Sequence, residues 1–340
     1  MKKILVTGGA GYVGTVLIEK LLQEGYQVIC LDRFFFGFES ISQFTSNPYF
    51  SYIQDDIRWF DKNYLKDVDC VIDLASISND PAGELDPTKT TEINFKGRER
   101  VAKLSKTMGV KKYFLASTCS IYGFNKNICD EDSKINPLTT YAKASAMAEN
   151  EILCTGDDDF CCTAFRFATI YGLSKRMRFD LVVNTMTLSL FQNKTIIVNG
   201  GGTQKRPLVD VRDAAEAYIL GINADTNVIN GKIFNVGSNE QNYTMIDLAK
   251  EVGSTTGIDF EIISKGDPDF RSYDVDFSKI KNTFSFIPKF SPFTSALEVF
   301  NALKNNIVSY DLKTKTVDWY KFLIKKENID KRILIDNKIF

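Results

Sequence analysis

The 340-residue sequence contains no histidine. Imidazole general bases and imidazole-held metals are therefore excluded, and proton transfer falls to Tyr, Lys, Asp, Glu, Cys or water. Charge of one sign is also missing: 42 basic against 43 acidic residues leave a net −1. No global field draws such a chain to nucleic acid or to an anionic membrane, so any anionic ligand must be met locally. No apolar run approaches the ~18 residues of a membrane span, and Met1-Lys2-Lys3 runs straight into an apolar stretch too short for a signal peptide. The seven cysteines are odd in number and lack paired metal spacing. Cys161 and Cys162 sit in an apolar run and read as small buried hydrophobes. What is present, 44% apolar and 25% charged residues, describes a globular chain, expected in a reducing cytoplasm with neither membrane nor nucleic-acid partners.

Short apolar runs and helical patterns alternate through the first half. Ile4–Val6, Gln27–Leu31, Tyr49–Ile53, Cys70–Leu74, Tyr113–Ala116 and Cys161–Phe167 read as strands, with helical periodicity over Gly14–Leu22, Glu92–Met108 and Tyr141–Leu153. Such alternation predicts an α/β fold, a doubly wound (Rossmann) parallel sheet with right-handed crossovers. Past Gly172 the pattern loosens into a smaller mixed α/β C-terminal substrate lobe. Residues 1–172, with later segments at about 207–240, are expected to form the nucleotide-binding domain. Residues 173–206 and 241–340 form the second lobe and a charged tail whose role is open.

Thr7-Gly8-Gly9-Ala10-Gly11-Tyr12-Val13-Gly14 falls where the first strand meets the first helix, the context that a dinucleotide-binding turn requires. Gly8 allows the tight turn, Gly11 the approach of a pyrophosphate, and Gly14 the packing of helix on strand. Tyr12 and Val13 offer N–H groups at the helix amino terminus. Asp32 ends the second strand, where a carboxylate accepts hydrogen bonds from the adenosine ribose and repels a 2′-phosphate. NAD is therefore expected, although Arg33 beside it leaves NADP open.

These landmarks resemble the extended short-chain dehydrogenase/reductase superfamily, in particular its NAD-dependent nucleotide-sugar epimerases and dehydratases. The resemblance covers nearly the whole chain. Asp55-Asp56-Ile57-Arg58 is similar to the segment that touches adenine, with Asp56 the usual contact. Leu74-Ala75-Ser76 looks like the cofactor-flanking loop, and Ser117-Thr118-Cys119-Ser120-Ile121-Tyr122-Gly123 like the loop of the sugar epimerases. Phe167 and Thr169 fall in a motif placed beside the nicotinamide, and Ser120 faces substrate. The resemblance implies that Thr118 and Tyr141 converge on the sugar hydroxyl that is oxidised. A phenol of pKa ~10 needs nearby positive charge to act as a base. In the family a Lys four residues after the Tyr supplies it, but this chain has Ser145 there. Lys143 lies about 200° around the helix and does not replace it. Three consequences are open: use of the nicotinamide charge with another cation or water, a slow enzyme, or a binding protein that has lost catalysis. Tyr122 and Lys126 share the Tyr-Lys spacing by chance.

Cys119 and Ser120 stand where the family's 4,6-dehydratases carry an Asp-Glu pair, and the Cys-His chemistry of GDP-fucose synthesis lacks its His. What the resemblance leaves is hydride transfer at a ring carbon, carbon 4 by family habit, by a 4-epimerase or a net dehydrogenase. A 4,6-dehydratase or 4-keto reductase is the alternative, and a non-nucleotide substrate a further one. Arg178 and Asn184 fall where relatives contact substrate, and Arg206 and Arg271 match positions that clasp its diphosphate, a task suited to the guanidinium fork. Helices Glu92–Met108 and Tyr141–Leu153 are those used by relatives for a four-helix homodimer interface.

Overall fold

The computed structural model describes residues 1–266, 272–325 and 335. Seven strands form one sheet in the order Lys232–Val236, Cys161–Phe167, Lys112–Thr118, Cys70–Asp73, Lys3–Thr7, Gln27–Asp32, Phe50–Gln54, and every neighbouring pair is parallel. Ile4, Leu5 and Val6 are wholly buried because helices cover both faces, which is why these strands read as continuous apolar runs. Helices Tyr12–Gln23 and Val211–Asn223 pack on one face, and Arg98–Thr107 and Thr140–Thr155 on the other. The order reverses between the strands Lys3–Thr7 and Cys70–Asp73. In open α/β sheets this reversal opens a crevice at the strands' carboxyl ends.

The helix expected over 92–108 is present with a change of winding. Glu92–Gly97 is a π-helical turn, and α-helix follows from Arg98. The wider turn brings Asn94 inward, where its side chain accepts from the amide of Ile77 at 2.8 Å and donates to the Ile77 carbonyl at 3.0 Å. It thereby holds the loop that follows the strand Cys70–Asp73.

Beyond Gly172 lies a three-stranded sheet of Thr169–Tyr171, Lys205–Asp210 and Asn242–Thr244, with a separate parallel pair, Thr195–Asn199 and Glu261–Lys265. Helices Val182–Asn193, Met245–Ser254 and Pro292–Lys304 surround a core that includes Met186, Leu190, Leu208, Leu248 and Phe300. Strand Lys232–Val236 returns to the main sheet, so the two lobes interleave. The charged tail also returns: helix Thr316–Lys325 buries Tyr320 and Leu323 in the core that contains Leu31, Ile57 and Phe95. Its apolar residues recur three apart, a short pattern masked by the surrounding lysines. All seven cysteines are free thiols, with Cys161 and Cys162 buried. Among the described residues, no helix is long and apolar enough to cross a membrane.

Candidate active site

One cavity of about 570 Å³ runs along the carboxyl ends of the central strands. Its first wall is the glycine turn. Gly8 has φ +67°, and a Cβ there would lie 2.8 Å from the amide nitrogen of Ala75. A Cβ on Gly14 would lie 2.5 Å from the carbonyl oxygen of Gly9. Backbone closeness therefore requires glycine at both places. The helix begins at Tyr12 with no side chain capping it, so its first-turn N–H groups are left for a ligand. Asp32 closes this end. One carboxylate oxygen accepts from the Ala10 amide at 3.0 Å and the other from Phe34 at 2.7 Å. Burial pushes its pKa up against these hydrogen bonds.

Arg33, read as a contact for a 2′-phosphate, lies 3.5 Å from Asp56. Asp56, read as an adenine contact, is also gripped by Arg58 at 2.8 Å. Both residues line the cavity together with Ile57, Leu74, Ala75 and Ser76, and the Asp56 carboxylate is paired with both arginines.

At the other end Thr118 closes its strand and Tyr141 opens the helix Thr140–Thr155. Thr139 caps that helix by accepting from Ala142 at 3.2 Å, and donates to Asp80 at 2.5 Å. Gly83 lets the adjoining turn press on the ring: a Cβ there would lie 3.1 Å from that of Tyr141. The Thr118 and Tyr141 side chains both line the cavity, near enough for the Thr118 hydroxyl to act on the Tyr141 phenol. Burial raises the Tyr141 pKa. The Thr118 hydroxyl pulls it down, Asp80 raises it further, and Arg98 and Arg178 lower it. Ser145, 2% exposed, donates back to the Tyr141 carbonyl at 2.9 Å, whereas Lys143 is exposed. The two cations that act on the phenol are each ion-paired, Arg98 with Asp73 and Arg178 with Asp180.

The substrate end of the cavity is lined by Ser120, Phe167, Thr169, Arg178 and Arg206. Arg178 is held at 2.8 Å by Asp180 and donates to the Ser78 carbonyl at 3.1 Å. Arg206 sits over the ring of Tyr273, 5.3 Å from its centroid. Ser117 also reaches the cavity wall, and its hydroxyl donates to Glu149 at 2.8 Å, tying strand to helix.

A turn built for a dinucleotide and a hydroxyl pair on a tyrosine helix thus share one cleft, and the comparison with known families agrees: residues 4–237 match the NAD dependent epimerase/dehydratase family. The chain belongs to this family. It is 26% identical over 312 residues to the UDP-glucose 4-epimerase of Lactobacillus helveticus, covering 84% of this chain and 92% of that one. It is 28% identical over 323 residues to UDP-glucuronic acid decarboxylase 1 of Arabidopsis thaliana, covering 91% and 71%. Among solved structures it shares its fold with the UDP-glucuronic acid 4-epimerase of Bacillus cereus in complex with UDP-glucuronic acid and NAD, at TM-score 0.81 and 23% identity over 89% and 99% of the two chains.

The cofactor named by the family fits these residues. Besides the glycine cradle, residues lining the cavity include Ser76, Arg176 and Tyr218, whose buried Oγ, Nε and hydroxyl have no hydrogen-bond partner among the described residues. Such groups are suited to a ligand rich in oxygen.

One expected substrate residue is corrected. Asn184 is fully buried and lies behind the cavity wall. It donates to the Tyr12 hydroxyl at 3.1 Å and the Arg178 carbonyl at 2.9 Å, and accepts from the Gly172 amide at 3.1 Å. The amide shapes the Arg178 loop and does not line the cavity. Arg271 lies outside the described residues. Tyr122 is buried and donates to Asn235 at 2.8 Å, so its spacing to Lys126 has no part in the cleft. Sequence reasoning missed Tyr273, which meets Ser120, and also Gln204, Met245, Thr316 and Tyr320. These reach the cavity from distant segments that carry no local motif. Arg176 and Asp180 flank Arg178; Arg176 and Arg178 are buried, Asp180 is half-buried, and Lys175 beside them is exposed.

Proposed function

We propose that the protein is an NAD-dependent 4-epimerase of a nucleoside diphosphate sugar, with Thr118 and Tyr141 as catalytic residues. The observation that carries this reading is that those two hydroxyls come together inside the cleft that begins at the glycine turn. A sugar hydroxyl placed between them meets an acceptor and a donor at once. Tyr141 as phenolate takes the hydroxyl proton, Thr118 fixes the oxygen, and the C–H electron pair leaves as hydride. NAD, when bound, supplies the hydride acceptor and the positive charge of its oxidised ring. Because Ser145 brings no cation, that charge and the fields of Arg98 and Arg178 must support the phenolate. Returning the hydride to the other face of the 4-keto sugar gives the epimer, with no net redox change.

The names of the relatives support a nucleotide sugar as substrate. A 4-keto uronic acid is a β-keto acid and loses carbon dioxide readily, so oxidation at carbon 4 is chemically compatible with a relative named a UDP-glucuronic acid decarboxylase. The cavity wall supports a diphosphate near Arg206. The enzyme is read as cytoplasmic and as a homodimer through helices 92–108 and 141–153, which light scattering tests by mass. Incubation with UDP-, dTDP- and GDP-hexoses and hexuronic acids, followed by proton NMR of the sugar and by absorbance at the nicotinamide band, tests the reaction. Interconversion of 4-epimers without accumulated reduced cofactor is the expected result. Bound NAD with every sugar unchanged would contradict it.

A further inference from the structure

The loop that leaves strand Thr169–Tyr171 is fastened to the first turn of the dinucleotide helix. Tyr12 donates its hydroxyl to the Gly172 carbonyl at 2.6 Å, and Ser174 donates to the Tyr12 carbonyl at 2.7 Å while meeting Thr15 at 2.9 Å. Arg176 follows two residues later, so its Cα lies no more than ~7 Å from that of Ser174. Its side chain enters the cavity and is only 7% exposed. Its guanidinium lies 3.5 Å from the Phe36 ring centroid and donates to the Thr316 hydroxyl at 3.1 Å, and its Nε has no hydrogen-bond partner among the described residues.

The carboxylates nearby are committed elsewhere. Asp180 is held by Arg178 and by Asn79 at 2.8 Å, and Asp32 by two backbone amides. Among the described residues this buried guanidinium has one neutral hydrogen-bond partner and no carboxylate in ion-pair contact, with Asp180 and Asp32 acting on it only from a distance; burial together with Arg178 pulls its pKa down to about 9. An anion placed at the helix amino terminus would supply a counter-charge in contact.

We propose that Arg176, delivered from the substrate lobe and steadied by Thr316 of the C-terminal helix, clamps the diphosphate of the dinucleotide against the glycine turn. Neither the glycine fingerprint nor the hydroxyl pair assigns this site. The inference rests on the reading that the cleft holds a dinucleotide and does not depend on which sugar is turned over. The clamp ties cofactor, substrate loop and C-terminal helix together, so the dinucleotide cannot leave without breaking a contact to each.

The test is calorimetric binding of NAD, NADP, ADP and adenosine to the protein stripped of ligand, for wild type, Arg176→Met and Thr316→Val, together with thermal unfolding of each ligand-free form. A charge-assisted phosphate contact predicts that Arg176→Met binds NAD and ADP about 10- to 100-fold more weakly, while adenosine changes by less than about threefold. Thr316→Val moves NAD in the same direction by about two- to tenfold, since it removes one neutral hydrogen bond. The ligand-free midpoint of Arg176→Met is not lowered, because the substitution deletes a buried charge with no carboxylate in contact; a merely structural arginine would lower it. Equal NAD affinity in wild type and Arg176→Met overturns the proposal, as does an equal loss for adenosine or a loss confined to NADP. If wild type binds dinucleotide but turns over no sugar, the reaction reading falls and the clamp stands. If wild type binds no dinucleotide, both fall.

Discussion

The two ends of the cleft are built from different materials. At the glycine turn the ligand surface is backbone: Gly8 and Gly14 are there because a Cβ would strike Ala75 and the Gly9 carbonyl, and N–H groups point outward. At the reaction corner the surface is side chain: two hydroxyls and a buried field of Asp80, Arg98 and Arg178 acting on Tyr141. A backbone site tolerates almost no change. A side-chain site lets one member go, as Ser145 shows, provided that the surrounding charges keep the phenol within reach of ionisation.

The sharpest way to break this contrast is to remove the base. Tyr141→Phe should lower kcat by about 10²–10⁴-fold with NAD affinity nearly unchanged, because it deletes a proton acceptor and little else; steady-state kinetics beside NAD titration checks it. Gly8→Ala should do the reverse. With φ +67° and a Cβ 2.8 Å from the Ala75 nitrogen, it should cost about 2–4 kcal/mol of stability and weaken NAD at least as much as it slows turnover, as thermal unfolding and calorimetry would show. Thr118→Ala is expected to reduce kcat by about 10- to 100-fold, since a hydrogen bond that fixes the reacting oxygen is lost while the base remains. The pH–rate profile is then the finer probe. Burial holds Tyr141 above its ordinary pKa, so the phenolate is a minority form at neutral pH in the ligand-free protein. Below its pKa each rise of one pH unit multiplies the phenolate fraction by about ten, so the rate should climb with pH from neutrality upward. Ser145→Lys should move that curve toward lower pH, since a nearby ammonium favours the phenolate; an unmoved curve would mean that the cation cannot reach the phenol.

Legibility in the sequence follows the same division. The glycine turn, Asp32 and the parallel sheet were readable because each is written in local spacing: a strand, a turn and a helix start leave marks within ten residues. The Thr118–Tyr141 pair, 23 residues apart, came only from the resemblance to a known family. Asn184 was misjudged because position on a helix does not say whether a side chain faces the cleft or the loop behind it, and here it hydrogen-bonds that loop. Arg176 and Arg178 illustrate the same limit. Both are buried almost equally, at 7% and 6% exposure, yet one has Asp180 and the other only Thr316 and a ring. Charge runs read alike in one dimension, and only tertiary placement separates a paired arginine from one with no carboxylate in contact. The C-terminal helix left the weakest trace, because six apolar or aromatic residues in one short helix flanked by lysines do not reveal which of them pack against the first lobe.

The central claim, that Thr118 and Tyr141 act on one sugar carbon beside NAD, is most directly tested by turnover of a nucleotide sugar deuterated at carbon 4, with mass spectrometry and NMR of the product. The claim predicts inversion at carbon 4 with the deuterium returned to that carbon and a primary isotope effect abolished with the activity in Tyr141→Phe. Inversion with the deuterium exchanged for solvent hydrogen, or undiminished activity in Tyr141→Phe, would contradict it.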